Sequence, residues 1–242
     1  MASSPRTGSY LLCEGLETTG IAGRPTEVFS PEFQGIWRRR WALGSAPHFS
    51  EYLAAAIQHG TTSNGVYGLK IHWMHVDALA KQAGYSADSA GVLERLFPSA
   101  AYIRVIRRDR RAQALSFYRA RATNEWWRID GVRNDQSNGC RPVFDARAIL
   151  ALEGELARQD EAWDQYLNER GIDPMILEYE TLVQNYREEV ARVLEFLGLD
   201  PAAAGAIPPP RLVRQSDGLT DQWRQLLEEA LHKGELGREI QT

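Results

Sequence analysis

Short apolar segments typical of β-strands alternate along this chain with longer segments of helical periodicity, and this alternation limits the possible folds more than any other feature. The strand candidates are rich in β-branched and aromatic residues. They span residues 66–71, 101–107 and 174–179. The alternation predicts a layered α/β fold rather than a helical bundle or a β-sandwich.

Three segments have the apolar spacing of amphipathic helices. The first spans residues 148–170 and stops before Gly171, and the second spans 181–197 and stops before Gly198. The third begins at Thr220, which is a good N-cap residue. Residues 202–210 form an Ala/Pro stretch that we interpret as a connector.

Two long segments have no clear periodicity, namely residues 24–50 and 123–145. They are rich in Arg, Trp, Gly, Asn and Pro, which predicts long loops or short helices covering one side of a sheet. Loops of this length in a compact domain usually serve a function. The length of 242 residues predicts a single domain over residues 1–242.

Charge and composition exclude several classes of protein. The net charge of −4 argues against a broad cationic surface for nucleic acid. Cys13 and Cys140 have no metal-site spacing, so we expect two reduced thiols, no disulfide and no metal. No apolar run is long enough for a membrane span or a signal peptide, which predicts a cytoplasmic protein.

The segment SSPRTGSYLL at residues 3–12 places Pro, Arg, Gly and hydroxyl residues before an apolar helical run. Such a turn can direct backbone N–H groups, a helix N-terminus and the Arg6 guanidinium at one anion. An ordinary helix capped by Ser9, with Arg6 in solvent, explains the segment equally well. The chain has no Gly-Lys-Ser/Thr sequence, so an anion that needs no metal fits better than a nucleoside triphosphate.

A second anion site is predicted where the strand candidate at 101–107 runs into a helix. Arg107 lies at the carboxyl end of this strand and Ser116 two to three turns into the helix. Because ligands of open α/β sheets bind at the carboxyl ends of strands, both anion sites are expected to face one crevice. The pair suits a nucleotide with separate 5′ and 3′ phosphates. We interpret the neighbouring arginines as a solvated face; they are Arg104, Arg108, Arg110 and Arg111.

Taken together, these segments resemble sulfotransferases that use 3′-phosphoadenosine 5′-phosphosulfate (PAPS), and specifically the bacterial trehalose 2-sulfotransferase family. The matching motifs are SSPRTGSYLL, TTGIAGRPTEVF, NGVYGLKIHW, IRRDRRAQALSFYRA, LEYETL and RLVRQSD. The resemblance implies a P-loop-like three-layer fold, with a central parallel sheet flanked by helices, and a homodimer. One departure is that only Met1 and Ala2 precede the loop, so the first strand is either shortened or begins upstream of this start.

The resemblance also implies roles for individual residues. The residues matching the loop around the 5′-phosphosulfate of the donor are Arg6, Thr7, Gly8, Ser9 and Tyr10. Arg107 and Ser116 match the pair that holds the 3′-phosphate, and Arg214 and Gln215 match, more loosely, a loop that closes over the nucleotide. Glu27 matches the proposed general base, and Arg6 would neutralise charge on the bridging oxygen. Apart from the resemblance, Glu27 reads as a surface carboxylate in a loop.

Residues near these motifs are further candidates for the site. Lys70 and His72 alternate in one strand and so share a face, which predicts a sulfate contact for Lys70 and a substrate contact for His72. A snorkelling lysine and a structural histidine are equally good interpretations. Sugar-stacking aromatic residues are predicted at Trp37, Trp73 and Trp126, with core or dimer packing as the alternative.

These observations predict transfer of a sulfuryl group from PAPS to a hydroxyl of a carbohydrate-like acceptor, of trehalose or glycolipid type. Residues 24–50 and 123–145 are then expected to cover the acceptor site. Two alternatives remain open: a nucleotide-loop phosphotransferase, and a non-catalytic carbohydrate-binding protein of the same fold. Dependence on Mg·ATP would identify the first, and indifference to loss of the Glu27 carboxylate would identify the second.

Overall fold

The computed structural model describes residues 1–85, 89–127, 139–212 and 218–233. Four parallel strands form one sheet in the order β2-β1-β3-β4. The strands are β1 (Ala2–Ser3), β2 (Ile71–His72), β3 (Ile103–Ile106) and β4 (Met175–Glu178). The predicted α/β fold with a central parallel sheet flanked by helices is confirmed.

The helices of the described residues connect and flank these strands. They are α1 (Ser9–Thr19), α2 (Pro31–Arg40), α3 (Phe49–Gly60), α4 (Val76–Gln82), α5 (Val92–Leu96), α6 (Arg110–Thr123), α7 (Ala146–Glu169), α8 (Tyr179–Gln184), α9 (Tyr186–Phe196) and α10 (Gly218–His232). Two 3₁₀ segments, Trp73–His75 and Pro201–Ala206, complete the set. Within the described ranges, no helix is long and apolar enough to cross a membrane.

β1 is short, yet it lies inside the sheet. Ala2 and Ser3 pair with Ile71 and His72 on one side, and with residues of β3 on the other. Both residues are almost completely buried. Residues 2 and 3 thus occupy a central position in the sheet, and β1 ends directly before the loop at residues 4–8.

The strand predicted at residues 66–71 is largely absent, because only Ile71 and His72 join the sheet. The preceding residues pair with the loop and helix end beside them. Tyr67 forms an isolated antiparallel bridge with Thr61, and the Gly68 amide donates to Gly60 at 3.1 Å. The prediction was wrong here because local pairing satisfies the backbone that a strand would have offered to the sheet.

The helix predicted over residues 181–197 is two helices, α8 and α9. Asn185 separates them, with φ −127° and ψ 50°, which lies outside the helical region. The other two predicted helices are present with shifted ends: α7 begins two residues earlier than predicted, and α10 begins at Gly218 rather than Thr220. Such shifts are usual for helix boundaries inferred from spacing.

The chain forms two compact units, and the predicted single domain stays a prediction. One unit comprises residues 1–106 and 159–208 and contains the whole sheet. One of its apolar clusters packs Ala2 and Ile71 with helices α3, α4 and α5, and another packs Val105 and Leu177 with α1, α8 and α9. The other unit comprises residues 107–158 and 209–242. Its core consists of Ala114, Leu115, Phe117, Ile149, Leu152, Leu156, Trp223 and Leu227.

Arg104 corrects the prediction of a solvated arginine face. Its side chain is 1% exposed and donates to the Asp160 carboxylate at 2.8 Å and to Asp164 at 3.2 Å. Arg108 is exposed, and Arg110 and Arg111 are half-buried. Arg104 differs because it lies within β3, where parallel strands are covered on both faces and a charge requires a partner.

Candidate functional site

The loop at residues 4–8 turns the chain sharply from β1 into α1. Arg6 and Gly8 both lie in the left-handed region, with φ of 66° and 77°. Thr7 is buried and donates its hydroxyl to the Ser4 carbonyl at 3.1 Å, which holds the turn together. The backbone therefore curls around the N-terminus of an eleven-residue helix, an arrangement that favours negative charge.

The backbone at Gly8 lies close to a tyrosine ring. A Cβ atom at Gly8 would lie 2.5 Å from Cδ2 of Tyr179, the first residue of α8. Glycine is thus required for two reasons, the positive φ and the tyrosine ring beside it. Tyr179 is a contact of the loop that sequence reasoning did not identify.

Glu27 lies in the segment between α1 and α2 and is 4% exposed. Its Oε1 accepts from the Lys70 ammonium and lies 2.5 Å from Nε2 of His72. Its Oε2 lies 3.4 Å from the Tyr10 hydroxyl. The structure therefore brings three of the predicted site residues, Lys70, His72 and Tyr10, around the buried carboxylate of a fourth, Glu27.

The electrostatics of this cluster keep Glu27 ionised. Burial alone would raise the pKa of Glu27, but His72 and Lys70 more than offset it and hold that pKa well below its usual value. Burial, followed by the charge of Glu27, raises the pKa of the Tyr10 phenol well above its usual value. The cluster thus presents a carboxylate acceptor beside a protonated phenol at neutral pH.

Lys70 and His72 are held by further contacts. The Lys70 ammonium lies 3.5 Å from the centre of the Tyr10 ring, a cation–π contact. Nδ1 of His72 lies 3.0 Å from Oγ of Ser3 and 3.1 Å from the Ser3 carbonyl oxygen. The same carbonyl accepts from the buried Trp163 indole at 3.1 Å. The contacts of Ser3 and Trp163 had no signal in the sequence, because residues far apart in the chain make them.

A second buried histidine adjoins the cluster. The His75 and His72 rings lie 5.8 Å apart, and Nε2 of His75 lies 3.7 Å from the exposed carboxylate of Glu32. Burial, together with the charge of His72, lowers the pKa of His75 to about 4. His75 is therefore neutral at physiological pH.

Comparison with known proteins identifies the family of this chain. Residues 1–229 match the model of the Stf0 sulphotransferase family. The chain belongs to this family. It is 32% identical to a trehalose 2-sulfotransferase of Mycolicibacterium smegmatis and 30% identical to one of Mycobacterium tuberculosis. Each alignment covers 91% of this chain and 90% of the relative.

The residues that this Stf0 family member was predicted to use for the 3′-phosphate lie in the second unit. Arg107 and Ser116 are both half-buried, and Ser116 lies within α6. Asp109 caps α6 by accepting from the Ala112 amide at 2.9 Å, and it also pairs with Arg224. Arg214 and Gln215 fall outside the described residues.

The tryptophans predicted to stack on a sugar pack against protein side chains. Trp73 makes an edge contact with Trp163 at 5.0 Å, and Trp37 stacks on Trp41 at 5.4 Å. Trp126, in the second unit, lies 6.1 Å from Phe117 and donates its indole N–H to Asn124. The contacts of these tryptophans in the structure are thus those of the alternative interpretation, packing against protein side chains. Their contacts with a sugar stay predictions.

The predicted covering segments of this sulfotransferase family member are partly helical. Residues 24–50 contain α2 and the first two residues of α3, and residues 123–145 are described only up to 127 and from 139. Among the described residues, no group of three or more His, Cys, Asp or Glu side chains is placed to hold a metal ion.

Proposed function

We propose that this member of the Stf0 family transfers a sulfuryl group from PAPS to a hydroxyl of a carbohydrate-like acceptor, with Glu27 as the general base. The observation that carries the proposal is the buried, ionised Glu27 carboxylate beside the turn from β1 into α1 at residues 4–8, which we call the donor loop. Tyr10, in the first turn of α1 directly after that loop, contacts Oε2, and Ser3, directly before the loop, contacts His72.

The donor loop has the features that an anionic donor requires. The N-terminus of α1, the positive-φ turn at Arg6 and Gly8, and the Arg6 guanidinium all favour bound negative charge. PAPS is the donor implied by the family. In this proposal the residues matched to the loop hold the 5′-phosphosulfate, and Arg107 and Ser116 hold the 3′-phosphate.

The reaction consists of one displacement at sulfur. The acceptor oxygen forms a bond to sulfur, the bond from sulfur to the bridging oxygen breaks, and adenosine 3′,5′-bisphosphate leaves. Glu27 takes the acceptor proton, and Arg6 neutralises the charge that develops on the bridging oxygen. Lys70, which lies between Glu27 and the Tyr10 ring, contributes its charge beside the transferred group.

The acceptor is proposed from the relatives and from the segments around the site. Both relatives carry the name trehalose 2-sulfotransferase, so a trehalose-type sugar or a glycolipid containing one is the first acceptor to test. A donor labelled in the sulfate, incubated with a metabolite extract, should give a product heavier by one sulfonate group in mass spectrometry. A homodimer, as the family resemblance implies, belongs to the same proposal.

Substitution of Glu27 tests the general base. In E27Q, kcat should fall about 10²–10⁴-fold, because the amide cannot accept the proton. The Kd for adenosine 3′,5′-bisphosphate should remain unchanged, because Glu27 acts on the acceptor side. The control is E32Q, which removes a carboxylate that is 62% exposed and should leave kcat unchanged. Unaltered kcat in E27Q would contradict the proposed role.

A further inference from the structure

The two oxygens of Glu27 have different neighbours. Oε1 contacts both the Lys70 ammonium and the His72 ring. Oε2 has one contact among the described residues, the Tyr10 hydroxyl at 3.4 Å. A hydrogen bond of that length is weak, so Oε2 retains most of its capacity to accept. The carboxylate is therefore fixed through one oxygen and available through the other.

The His72 ring is held at both nitrogens. Nδ1 lies within hydrogen-bonding distance of two atoms of Ser3, and Nε2 lies 2.5 Å from Oε1 of Glu27. Because Oε1 belongs to a carboxylate, Nε2 must carry a hydrogen. A neutral ring then accepts from the Ser3 hydroxyl at Nδ1, and a charged ring donates from Nδ1 to the Ser3 carbonyl. In both states the ring orientation is the same.

Ser3, the partner of the His72 ring, is itself held in place by backbone contacts. Ser3 and His72 are paired residues of neighbouring parallel strands, and the Trp163 indole also donates to the Ser3 carbonyl. Ser3 is the last residue of β1, directly before the donor loop. Through Ser3, His72 therefore ties the position of Glu27 to the root of that loop.

We propose that His72 is a positioning residue, which holds Glu27 by Oε1 so that Oε2 takes the acceptor proton. This inference rests on the proposed function, because it requires Glu27 to be the base. The proton moves from the acceptor hydroxyl to Oε2 while the acceptor oxygen bonds to sulfur, and His72 keeps its own hydrogen throughout. The sugar contact first predicted for His72 is then unnecessary.

Lys70 cannot replace His72 in this role. Its ammonium is a compact charge with three rotatable donors on a flexible stem, so it stabilises the carboxylate with little directional preference. His72 is planar and anchored on both sides, so it sets the angle of the carboxylate. Removal of His72 should therefore act on kcat more than on donor binding.

Two amide substitutions separate positioning from simple packing. In H72Q, the amide N–H can replace Nε2–H toward Glu27, whereas in H72N the shorter side chain reaches Ser3 but not Glu27. We expect kcat to fall about 10²-fold in H72N, the cost of a misplaced catalytic group. H72Q should restore kcat to within about tenfold of the unsubstituted protein. The Kd for adenosine 3′,5′-bisphosphate should be unchanged in both variants.

The pH profile supplies a second measurement. Because His72 lowers the pKa of Glu27, its loss in H72N should raise that pKa and move the acidic limb of kcat/KM for the acceptor to higher pH. The titratable groups with charge effects on or from Glu27 are Tyr10, Cys13, Glu32, Lys70, His72 and His75. H75N removes the neighbouring imidazole but keeps His72. It is the control for a shift of the acidic limb caused by loss of any imidazole near Glu27.

A double substitution decides whether His72 acts through Glu27. In the E27Q background, H72N should cause no further loss of kcat, because the group that it positions is already inactive. Equal losses in H72N and H72Q, or a further loss in E27Q/H72N, would overturn the proposal. If H72N does not fold, H72Q decides alone, because a kcat as low as that of E27Q contradicts positioning. Failure of the general base itself would be seen separately, as full kcat in E27Q.

Discussion

At the scale of single residues, the site depends on a buried carboxylate whose charge is stabilised by His72 and Lys70. Lys70 and His72 give Glu27 a pKa below the value of about 4.3 expected in an unfolded chain. This contribution to stability is therefore present above about pH 4.3 and lost as the pH falls through the lower pKa of the folded state. The same low pKa makes Glu27 a weak base, so its placement must compensate for its strength.

Gly8 is the residue whose replacement should test the donor loop most directly. G8A introduces a Cβ atom 2.5 Å from the Tyr179 ring at a φ of 77°, so it should destabilise the fold by about 1–3 kcal/mol and weaken donor binding. G20A, at the other end of α1, has a similar φ of 71° with nothing within 4 Å of the new Cβ. Urea unfolding of both variants measures the difference.

One result would contradict the proposed role of Tyr179 in the effect of G8A. If G8A and G20A lose equal stability and G8A binds adenosine 3′,5′-bisphosphate normally, the close approach of Tyr179 has no consequence. If Tyr179 is the cause, G8A/Y179A should recover part of the stability that G8A loses.

At the scale of strands and helices, β3 is tied to α7 by a buried ion pair. Arg104 is 1% exposed and pairs with Asp160, whose side chain is 8% exposed, and also with Asp164, which is 61% exposed. Loss of one partner from a buried pair leaves an uncompensated charge, whereas an exposed partner contributes little. The two aspartates on one helix thus provide a matched comparison.

D160N should lower the free energy of unfolding by about 3–5 kcal/mol, and D164N by less than about 1 kcal/mol. Urea denaturation of both variants measures these losses. R104M/D160L should be more stable than D160N, because it removes both charges together. Equal losses in D160N and D164N would show that burial does not decide the strength of these pairs.

The elements also show what the sequence could and could not predict. The periodicity of α7 and the strand at Ile103–Ile106 were predictable, because long or strongly apolar patterns fix the type of element. The strand proposed at 66–71 was wrong, since Gly60 and Thr61 compete for its backbone. The burial of Arg104 had a usable signal, because this charged residue stands between two apolar residues of a strand, and the predicted solvated face was wrong for it.

For the site, too, local patterns predicted some placements, whereas contacts between distant residues could not be predicted. The alternation of Lys70 and His72 placed both on one face of the chain, and both contact Glu27. Their shared partner, Glu27, lies 43 residues before Lys70, so no local sequence pattern predicts the contact. Only the family resemblance indicated a role for Glu27. The contact of Tyr179 with Gly8 could not be predicted, because it depends on how α8 packs.

At the scale of the whole molecule, the predicted ligand residues are distributed over two compact units. Arg6 belongs to the unit that contains the sheet, and Arg107 to the unit that contains α6. The proposal that Arg107 recognises the 3′-phosphate rests on the family resemblance. A pair of nucleotides that differ in this phosphate can test it without any assumption about how the units are arranged.

Adenosine 3′,5′-bisphosphate at a hundred times its Kd should stabilise the protein by about 2.7 kcal/mol, without added Mg²⁺. R107M should weaken the binding of this nucleotide by more than tenfold. It should leave unchanged the affinity for adenosine 5′-phosphosulfate, which lacks the 3′-phosphate. Calorimetric titration of both nucleotides measures the difference. R108A, which removes an exposed neighbouring arginine, is the control, and equal weakening of both nucleotides by R107M would contradict the assignment.

The bond from the Trp163 indole to the Ser3 carbonyl joins residues 160 positions apart. During translation, the segment that carries the donor loop leaves the ribosome well before α7, and this contact must wait until α7 has been synthesised. A nascent chain that ends before α7 therefore lacks the support behind His72, and the orientation of Glu27 is completed only late in synthesis.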